Sequence, residues 1–121
     1  MPFAFQSLDI YQMAKSLSII CYKKTAGFPN SEKFALTSQI NRAAVSVPAN
    51  IVEGYSRKTA KDKCHFLNIA YGSLMELLCE FEISKELGYI TEEELSALST
   101  HVELLAIKIS VFSRKLEGYE K

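Results

Sequence analysis

The stretch 62–80 contains several residues of types that bind metals or transfer protons. Asp62 and His65 lie three residues apart, so a helix would place them on one face. Metal sites in helical bundles repeat Glu-x-x-His on two helices, whereas this chain has one imperfect copy. Cys64 would point away from His65, and Glu76 with Glu80 is interpreted as a solvated acidic face. No metal, cofactor or catalytic residue is predicted, and we do not expect an enzyme.

A polar stripe in the segment 39–55 is the second candidate. At about 100° per residue, five polar side chains fall on one narrow arc of a helix, and small apolar residues fill most of the remaining surface. Such a helix is expected to be buried in its own bundle and against another subunit. The stripe predicts an oligomer interface or a tie between loops, with a ligand site and plain exposure as alternatives. Its members are Gln39, Arg42, Ser46, Asn50 and Glu53.

Basic residues gather at one end of the chain once a helical bundle is assumed. In an up-down bundle, the turn after the second helix and the end of the fourth lie at the same end, and a ring of such subunits has one basic face. This face could bind the phosphate backbone of RNA or DNA, with Tyr55 as the candidate for base stacking. The alternative is that these cations solvate helix ends. The basic set is Arg57, Lys58, Lys61, Lys63, Arg114, Lys115 and Lys121. The opposite end carries Glu86, Glu92, Glu93 and Glu94, partly offset by Lys23, Lys24 and Lys33.

Four helices are predicted to position these residues, at about 8–24, 31–54, 60–87 and 92–117. Apolar residues recur at three-four spacing in each, and the short connections favour antiparallel neighbours. Ser7 and either Asn30 or Ser31 are the expected N-caps of the first two helices. Gly88 is the expected C-cap of the third, and Thr91 with Glu94 predicts a capping box for the fourth. The fold class is therefore all-α, an antiparallel up-down-up-down four-helix bundle forming one domain over 1–121.

Two residues inside predicted helices require compensation. Pro48 removes the amide that would bond the Ala44 carbonyl. We favour one kinked helix over two separate helices because the polar stripe keeps its phase across the proline. Ser46 and Asn50 are candidates to partner the loosened backbone groups. Gly72 costs the third helix about 1 kcal/mol relative to alanine, which predicts a close contact with another helix.

Composition limits the remaining possibilities. The 121 residues include 14 basic and 14 acidic side chains, so no strong global field attracts nucleic acid. No apolar run approaches the roughly 20 residues of a membrane span, and the first residues do not form a signal peptide. We therefore expect a cytoplasmic protein without a membrane partner. Cys21, Cys64 and Cys79 are interpreted as buried, reduced thiols.

Several stretches resemble a known bacterial family. The most specific is RAAVSVPANI at 42–51, followed by Glu53 and Gly54. The others are LDIYQ at 8–12, Phe28-Pro29 with Glu32, Leu36-Thr37 with Gln39, FLNIAYGSL at 66–74 and LGYI at 87–90. Over nearly its whole length, the chain resembles the four-helix-bundle family encoded in intervening sequences of 23S ribosomal RNA. The resemblance implies a bundle that assembles into a ring, most commonly of five subunits. A similar fold serves as the accessory protein of diversity-generating retroelements, a nucleic-acid-binding ring.

The sequence thus predicts a non-enzymatic homo-oligomer that binds RNA or DNA through its basic end. The alternative is a protein-interaction scaffold with no nucleic-acid role. Zero net charge and the nearly all-round apolar second helix favour that alternative.

Overall fold

Four α-helices make up most of the computed structural model, which describes residues 3–119. They are α1 (Asp9–Thr25), α2 (Leu36–Tyr55), α3 (Ala60–Glu86) and α4 (Glu92–Tyr119), with short 3-10 helices at Ala4–Ser7 and Asn30–Glu32. Residues 3–119 contain no strand. Each helix packs against the next in the chain, and α1 also contacts α4. The predicted all-α four-helix bundle is confirmed.

Two ion pairs show how the first and last helices are aligned. Lys24 at the end of α1 bonds Glu94 at the start of α4, with 2.6 Å between Nζ and Oε2. Asp9 at the start of α1 bonds Lys108 far along α4, with 2.7 Å between Oδ2 and Nζ. The two helices are therefore antiparallel. Because all four side chains are partly exposed, each pair contributes only about 0–1 kcal/mol and mainly fixes the alignment.

The core follows the predicted stripes most closely in α3 and α4. In α1, however, Ala14 and Cys21 are fully buried, while Met13 and Ile20 are only half-buried. The smaller residues of α1 face inward, which allows α2 to approach closely. The fully buried large side chains are Leu17, Ile40, Val47, Ile51, Leu67, Leu74, Leu77, Phe81, Val102, Leu105 and Ile109.

The second helix begins at Leu36, so the predicted start at Asn30 or Ser31 is wrong. Glu32 explains the difference, because each of its two carboxylate oxygens accepts a hydrogen bond. One oxygen accepts a hydrogen bond from the Leu36 amide at 3.3 Å, and the other accepts one from the Tyr89 hydroxyl at 2.7 Å. The Phe28 ring packs 5.2 Å from the Tyr89 ring. The segment before α2 is thus tied to the α3–α4 loop and does not extend the helix.

Helix ends confirm most of the predicted caps. Gly88 has φ +82°, the left-handed conformation of a glycine C-cap. The Thr91 hydroxyl accepts from the Glu94 amide at 3.1 Å, and the Glu94 carboxylate accepts from the Thr91 amide at 3.0 Å, which completes the capping box. Ser7 is not a cap: Leu8 holds that position, and the Ser7 hydroxyl donates to the Ala4 carbonyl.

Pro48 lies inside a continuous α2, so the two-helix alternative is wrong. The carbonyl that it leaves without an amide, that of Ala44, accepts a hydrogen bond from the Ser18 hydroxyl of α1 at 2.6 Å. Asn50 bonds the Ser46 carbonyl at 2.8 Å, as the sequence suggested. The donor for the freed oxygen nevertheless comes from the neighbouring helix. Because Ser18 and Ala44 are both buried, water does not readily replace this bond.

Two glycines have opposite surroundings. A Cβ at Gly54 would lie 3.0 Å from the Lys63 carbonyl oxygen and 3.1 Å from the Phe66 Cβ, so α2 and α3 touch there through backbone. A Cβ at Gly72 would meet nothing within 4 Å. The close contact predicted at Gly72 is therefore absent, and the close approach occurs at Gly54.

Ser18→Ala should lower the free energy of unfolding by about 1–3 kcal/mol, because it leaves the buried Ala44 carbonyl without a donor. Pro48→Ala restores the amide within α2, so the same serine change should cost clearly less in that background. Urea unfolding of the two single variants and the double variant measures this coupling. An equal cost in both backgrounds would contradict the pairing of Ser18 with the proline.

Gly54→Ala should destabilise the bundle by about 1–3 kcal/mol, because the new methyl group overlaps α3. Gly72→Ala is the matched control within a helix and should stabilise it by about 0.5–1 kcal/mol. Thermal unfolding compares the two, and a stabilising Gly54→Ala would show that α2 and α3 can separate at this point.

Candidate nucleic-acid interface

Four of the predicted cations surround the turn between α2 and α3, which we call the basic turn (Arg57, Lys58, Lys61 and Lys63). The turn is short because Thr59 caps α3: its hydroxyl accepts from the Asp62 amide at 3.1 Å. Lys58 and Lys61 are exposed, and neither makes an ion pair or hydrogen bond with any residue in 3–119. Two ammonium groups are thus free to meet an anion from solvent.

The other two cations of the basic turn have partners in the bundle. Arg57 forms an ion pair with Glu53 one helical turn earlier, and its guanidinium lies 4.6 Å from the Phe66 ring centroid. Lys63 donates to the Tyr55 carbonyl at 2.9 Å, and its Nζ lies 5.3 Å from the centroid of the same tyrosine ring. These two residues hold the turn in shape and keep positive charge near its surface.

Arg114 and Lys115 follow Ser113, whose carbonyl lies against Cys64 at the start of α3. Arg114 lines a groove between α3 and α4 together with Asn68 and Tyr71. Lys115 lines a different groove, between α1 and α4. Of the seven cations predicted as one surface, four surround the turn and two line grooves beside α4, and their joint role stays a prediction. Lys121 lies outside the described residues.

The opposite end of the bundle carries both signs of charge, and two of its lysines are paired with carboxylates. Lys24 donates to Glu94, which lowers the pKa of that carboxyl, with a further contribution from the Thr91 amide. Lys85 lies 3.2 Å from Glu92, and this hydrogen bond raises the pKa of Lys85. The four predicted carboxylates of this end are thus matched in number by four lysines, Lys23, Lys24, Lys33 and Lys85.

The polar stripe of α2 divides into an inner and an outer part. Ser46 is hydrogen-bonded to Ser73 of α3 at 2.9 Å, and Asn50 donates to the Ser46 hydroxyl at 2.9 Å. Glu53 supports the basic turn through Arg57. Gln39 and Arg42 are exposed, and their side chains have no hydrogen bond or ion pair within the described part of the chain. The stripe therefore joins α2 to α3 and ties one turn, and its role in an oligomer stays a prediction.

Sequence reasoning missed the character of Glu80, which it assigned to a solvated acidic face with Glu76. Glu76 is exposed, but Glu80 is only 4% exposed. Burial raises the pKa of Glu80 to about 7, with the nearby charge and hydrogen bond of Glu76 adding to the effect. A signal was present in the sequence, because Ser73, Glu80 and Ser84 follow the helical spacing of the buried side of α3.

The candidates for metal binding and nucleophilic chemistry have structural roles. The Asp62 backbone amide donates to the Thr59 hydroxyl that caps α3, and the His65 ring packs edge-on against Phe66, 5.1 Å between centroids. Within residues 3–119, no group of three or more His, Cys, Asp or Glu could hold a metal ion.

The cysteines are all free, but only two of the three are buried as predicted. Cys21 and Cys64 are buried, whereas Cys79 is exposed. Burial raises the pKa of the Cys21 thiol to about 12, so this thiol is protonated and unreactive. Burial also raises the pKa of Cys64, helped by the charge of Glu117. Cys79 lies on the outer side of α3, which faces away from the core.

Two apolar faces remain exposed on opposite sides of the bundle. The α1–α2 face consists of Ile19, Tyr22, Val45 and Pro48 and forms a groove of about 550 Å³ that is flanked by two lysines. Val45 is 46% exposed. The sequence placed it in the flank of a buried helix, and within a single subunit it is not buried.

The α3–α4 face consists of Tyr71, Met75 and Ile107 and forms a groove of about 520 Å³ that also contains Glu103. Ile107 is 54% exposed. Between Glu92 and Gly118, α4 includes a window with mean hydropathy 1.4, long and apolar enough to span a membrane by length and composition. The expectation that no such run exists is therefore wrong. Part of this apolar surface covers the core of the bundle, and part forms the α3–α4 face.

Comparisons with known proteins agree with this architecture. The family model of the 23S rRNA-intervening sequence protein matches residues 6–110. A crystal structure of a protein of unknown function from the S23 ribosomal protein family of Bacteroides thetaiotaomicron has a TM-score of 0.77 and 20% sequence identity. The similarity covers 86% of this chain and 97% of that one. No curated protein matches the chain. The predicted resemblance is confirmed, and the chain belongs to the 23S rRNA-intervening sequence protein family.

Proposed function

We propose that this protein is a non-enzymatic, ring-forming bundle of the bacterial cytoplasm that binds RNA or DNA through its basic turn. The observation that carries the proposal is the pair of exposed lysines, Lys58 and Lys61, whose side chains have no partner among the described residues. In a cyclic ring all subunits point the same way. One face of the ring would then repeat the basic turn and present phosphates with an array of ammonium groups.

Assembly would use the two apolar faces. They lie on opposite sides of the bundle, so the α1–α2 face of one copy can meet the α3–α4 face of the next, a heterologous contact that closes into a ring when its rotation divides a full turn. The second face carries Glu103 and Arg114, so the lysines beside the first face, Lys15 and Lys23, would find one carboxylate and one cation there, and the contact would depend mainly on apolar surface. A five-subunit ring is the form that the family resemblance implies.

The kind of recognition follows from the aromatic rings near the turn. Lys63 lies over the Tyr55 ring, and Arg57 lies over the Phe66 ring. Both rings are thereby engaged by cations, so Tyr55 is a poor platform for base stacking, contrary to the expectation from sequence. Point charges alone hold the phosphate backbone and do not read bases. We therefore infer binding that depends on salt and little on base sequence.

Lys58→Glu with Lys61→Glu should reduce the affinity for a labelled oligonucleotide strongly at low salt. It should also lower the slope of log affinity against log salt by about one for each lysine that contacted a phosphate. Fluorescence anisotropy at several salt concentrations measures both quantities. The single variants Lys61→Glu and Lys33→Glu change the net charge equally, and only the first alters the basic turn. An equal effect of these two variants would contradict a site at the turn.

Val45→Glu should convert the ring into smaller species, because it places a charge in the apolar contact where burying it costs several kcal/mol. The exposed position of Val45 allows the single bundle to fold. Phe34→Glu is the control, since Phe34 is 90% exposed and lies on neither apolar face. Light scattering with size-exclusion chromatography gives the mass of each variant, and an unchanged mass for Val45→Glu would exclude the α1–α2 face from the interface.

A protein-interaction scaffold is the second candidate, favoured by the two exposed apolar faces and by zero net charge. In that case the faces would bind another protein, and the basic turn would only solvate a helix end. The oligonucleotide titration separates the candidates, because a scaffold would show no salt-dependent binding.

A further inference from the structure

The carboxyl group of Glu80 is buried on the side of α3 that faces the bundle, and one of its oxygens lacks a hydrogen-bond partner among the described residues. The residue is 4% exposed, and its Oε1 atom has no hydrogen-bond partner. Its neighbours on the same helix, Leu77 and Phe81, are fully buried. An ionised carboxylate is costly in such surroundings, so the position favours a proton on Glu80.

The groups that act on Glu80 from the surrounding helices are few. On α3, exposed Glu76 lies one helical turn earlier and is close enough to hydrogen-bond its protonated form. On α1, the Cys21 thiol faces it and is uncharged. Neither α2 nor α4 supplies a group that shifts the pKa of Glu80 within the described residues. Glu76 and Glu80 therefore form an acidic pair in which the Glu76 carboxylate can accept a hydrogen bond from protonated Glu80.

The register between α2 and α3 places one cation, Arg42, at about the same level along the bundle as this pair. Ser46 and Ser73 touch at 2.9 Å, and Gly54 meets Phe66, so the two helices run antiparallel at a fixed register. One turn before Ser46 on α2 is Arg42, and one turn after Ser73 on α3 is Glu76. Arg42 is exposed and forms no ion pair with any residue of 3–119. Its long side chain is free to change direction.

We propose that Glu76, Glu80 and Arg42 form a proton-operated latch between α2 and α3. While Glu80 holds its proton, Arg42 stays in solvent. When that proton passes to solvent, the acidic pair gains one negative charge, and the guanidinium of Arg42 folds onto it. No bond other than the O–H bond breaks. The latch tightens the contact between the two helices only in the deprotonated state.

The direction of the pH dependence follows from the folded and unfolded pKa values of Glu80. The folded value is about 7, above the ordinary 4.5. Between these values the folded state holds a proton that the unfolded state has released, so the free energy of unfolding falls as pH rises. Above the folded value the dependence ends. The Arg42 contact opposes this loss, because a cation beside the pair favours its ionised form.

The first measurement is urea unfolding of the purified protein at about pH 5, 6, 7 and 8. The wild-type protein should lose stability across this range, and Glu80→Gln should flatten the profile. Glu82→Gln, which changes an exposed carboxylate on the same helix, should keep the wild-type profile. A Glu80→Gln profile as steep as that of the wild type overturns the assignment of the proton to Glu80. Repeating the series at two protein concentrations separates this effect from subunit dissociation.

The second measurement tests Arg42 directly in the folded protein. The carboxyl ¹³C shift of Glu80, followed by NMR through the same pH range, gives its titration midpoint. Arg42→Gln should raise this midpoint, whereas Arg114→Gln, a change to an arginine on α4, should leave it unchanged. An unchanged midpoint in Arg42→Gln overturns the latch, even if Glu80 titrates near neutral pH.

Discussion

The Ala44 carbonyl oxygen needs a donor from outside its own helix, and much of the bundle is arranged around this requirement. Pro48 cannot supply the amide, and an orphan carbonyl in the core would cost roughly 1–3 kcal/mol. Ser18 of α1 supplies the hydroxyl at 2.6 Å. A serine donor has to be close, which fits the small buried residues of α1, Ala14 and Cys21. The proline thereby fixes the distance between α1 and α2, and it also leaves its own ring on the outer surface.

On its other side, α2 is fixed to α3 by small and polar residues. Gly54 allows backbone contact near the basic turn, and Ser46 with Ser73 sets the register in the middle. This register places the basic turn at the tip of the bundle and brings Arg42 alongside Glu76. The basic turn is stabilised by Arg57, which forms an ion pair with Glu53 and contacts the Phe66 ring. The same helix thus positions the charged tip, the proposed assembly face and the acidic pair.

Features that depend on local periodicity, such as helices and their caps, could be predicted from the sequence. Features that depend on a contact with a residue far along the chain could not. The stripe of α4 and the capping box at Thr91 are local patterns, and both are confirmed. The start of α2 was wrong because Glu32 bonds Tyr89, which is 57 residues away. The sequence alone could not show which of Gly54 and Gly72 lies against another helix, because that depends on the packing of α2 and α3. The grooves that Arg114 and Lys115 line depend on the exact rotation of α4, which the sequence pattern does not determine.

Binding of nucleic acid by the wild-type protein is the central claim, and a single titration tests it. Labelled single-stranded RNA would be titrated with purified protein at low and at physiological salt. The account predicts binding at low salt that weakens steeply as salt rises, because released counterions drive contact with phosphates. Absence of binding even at low salt would contradict it and would leave the two apolar faces as the functional surfaces.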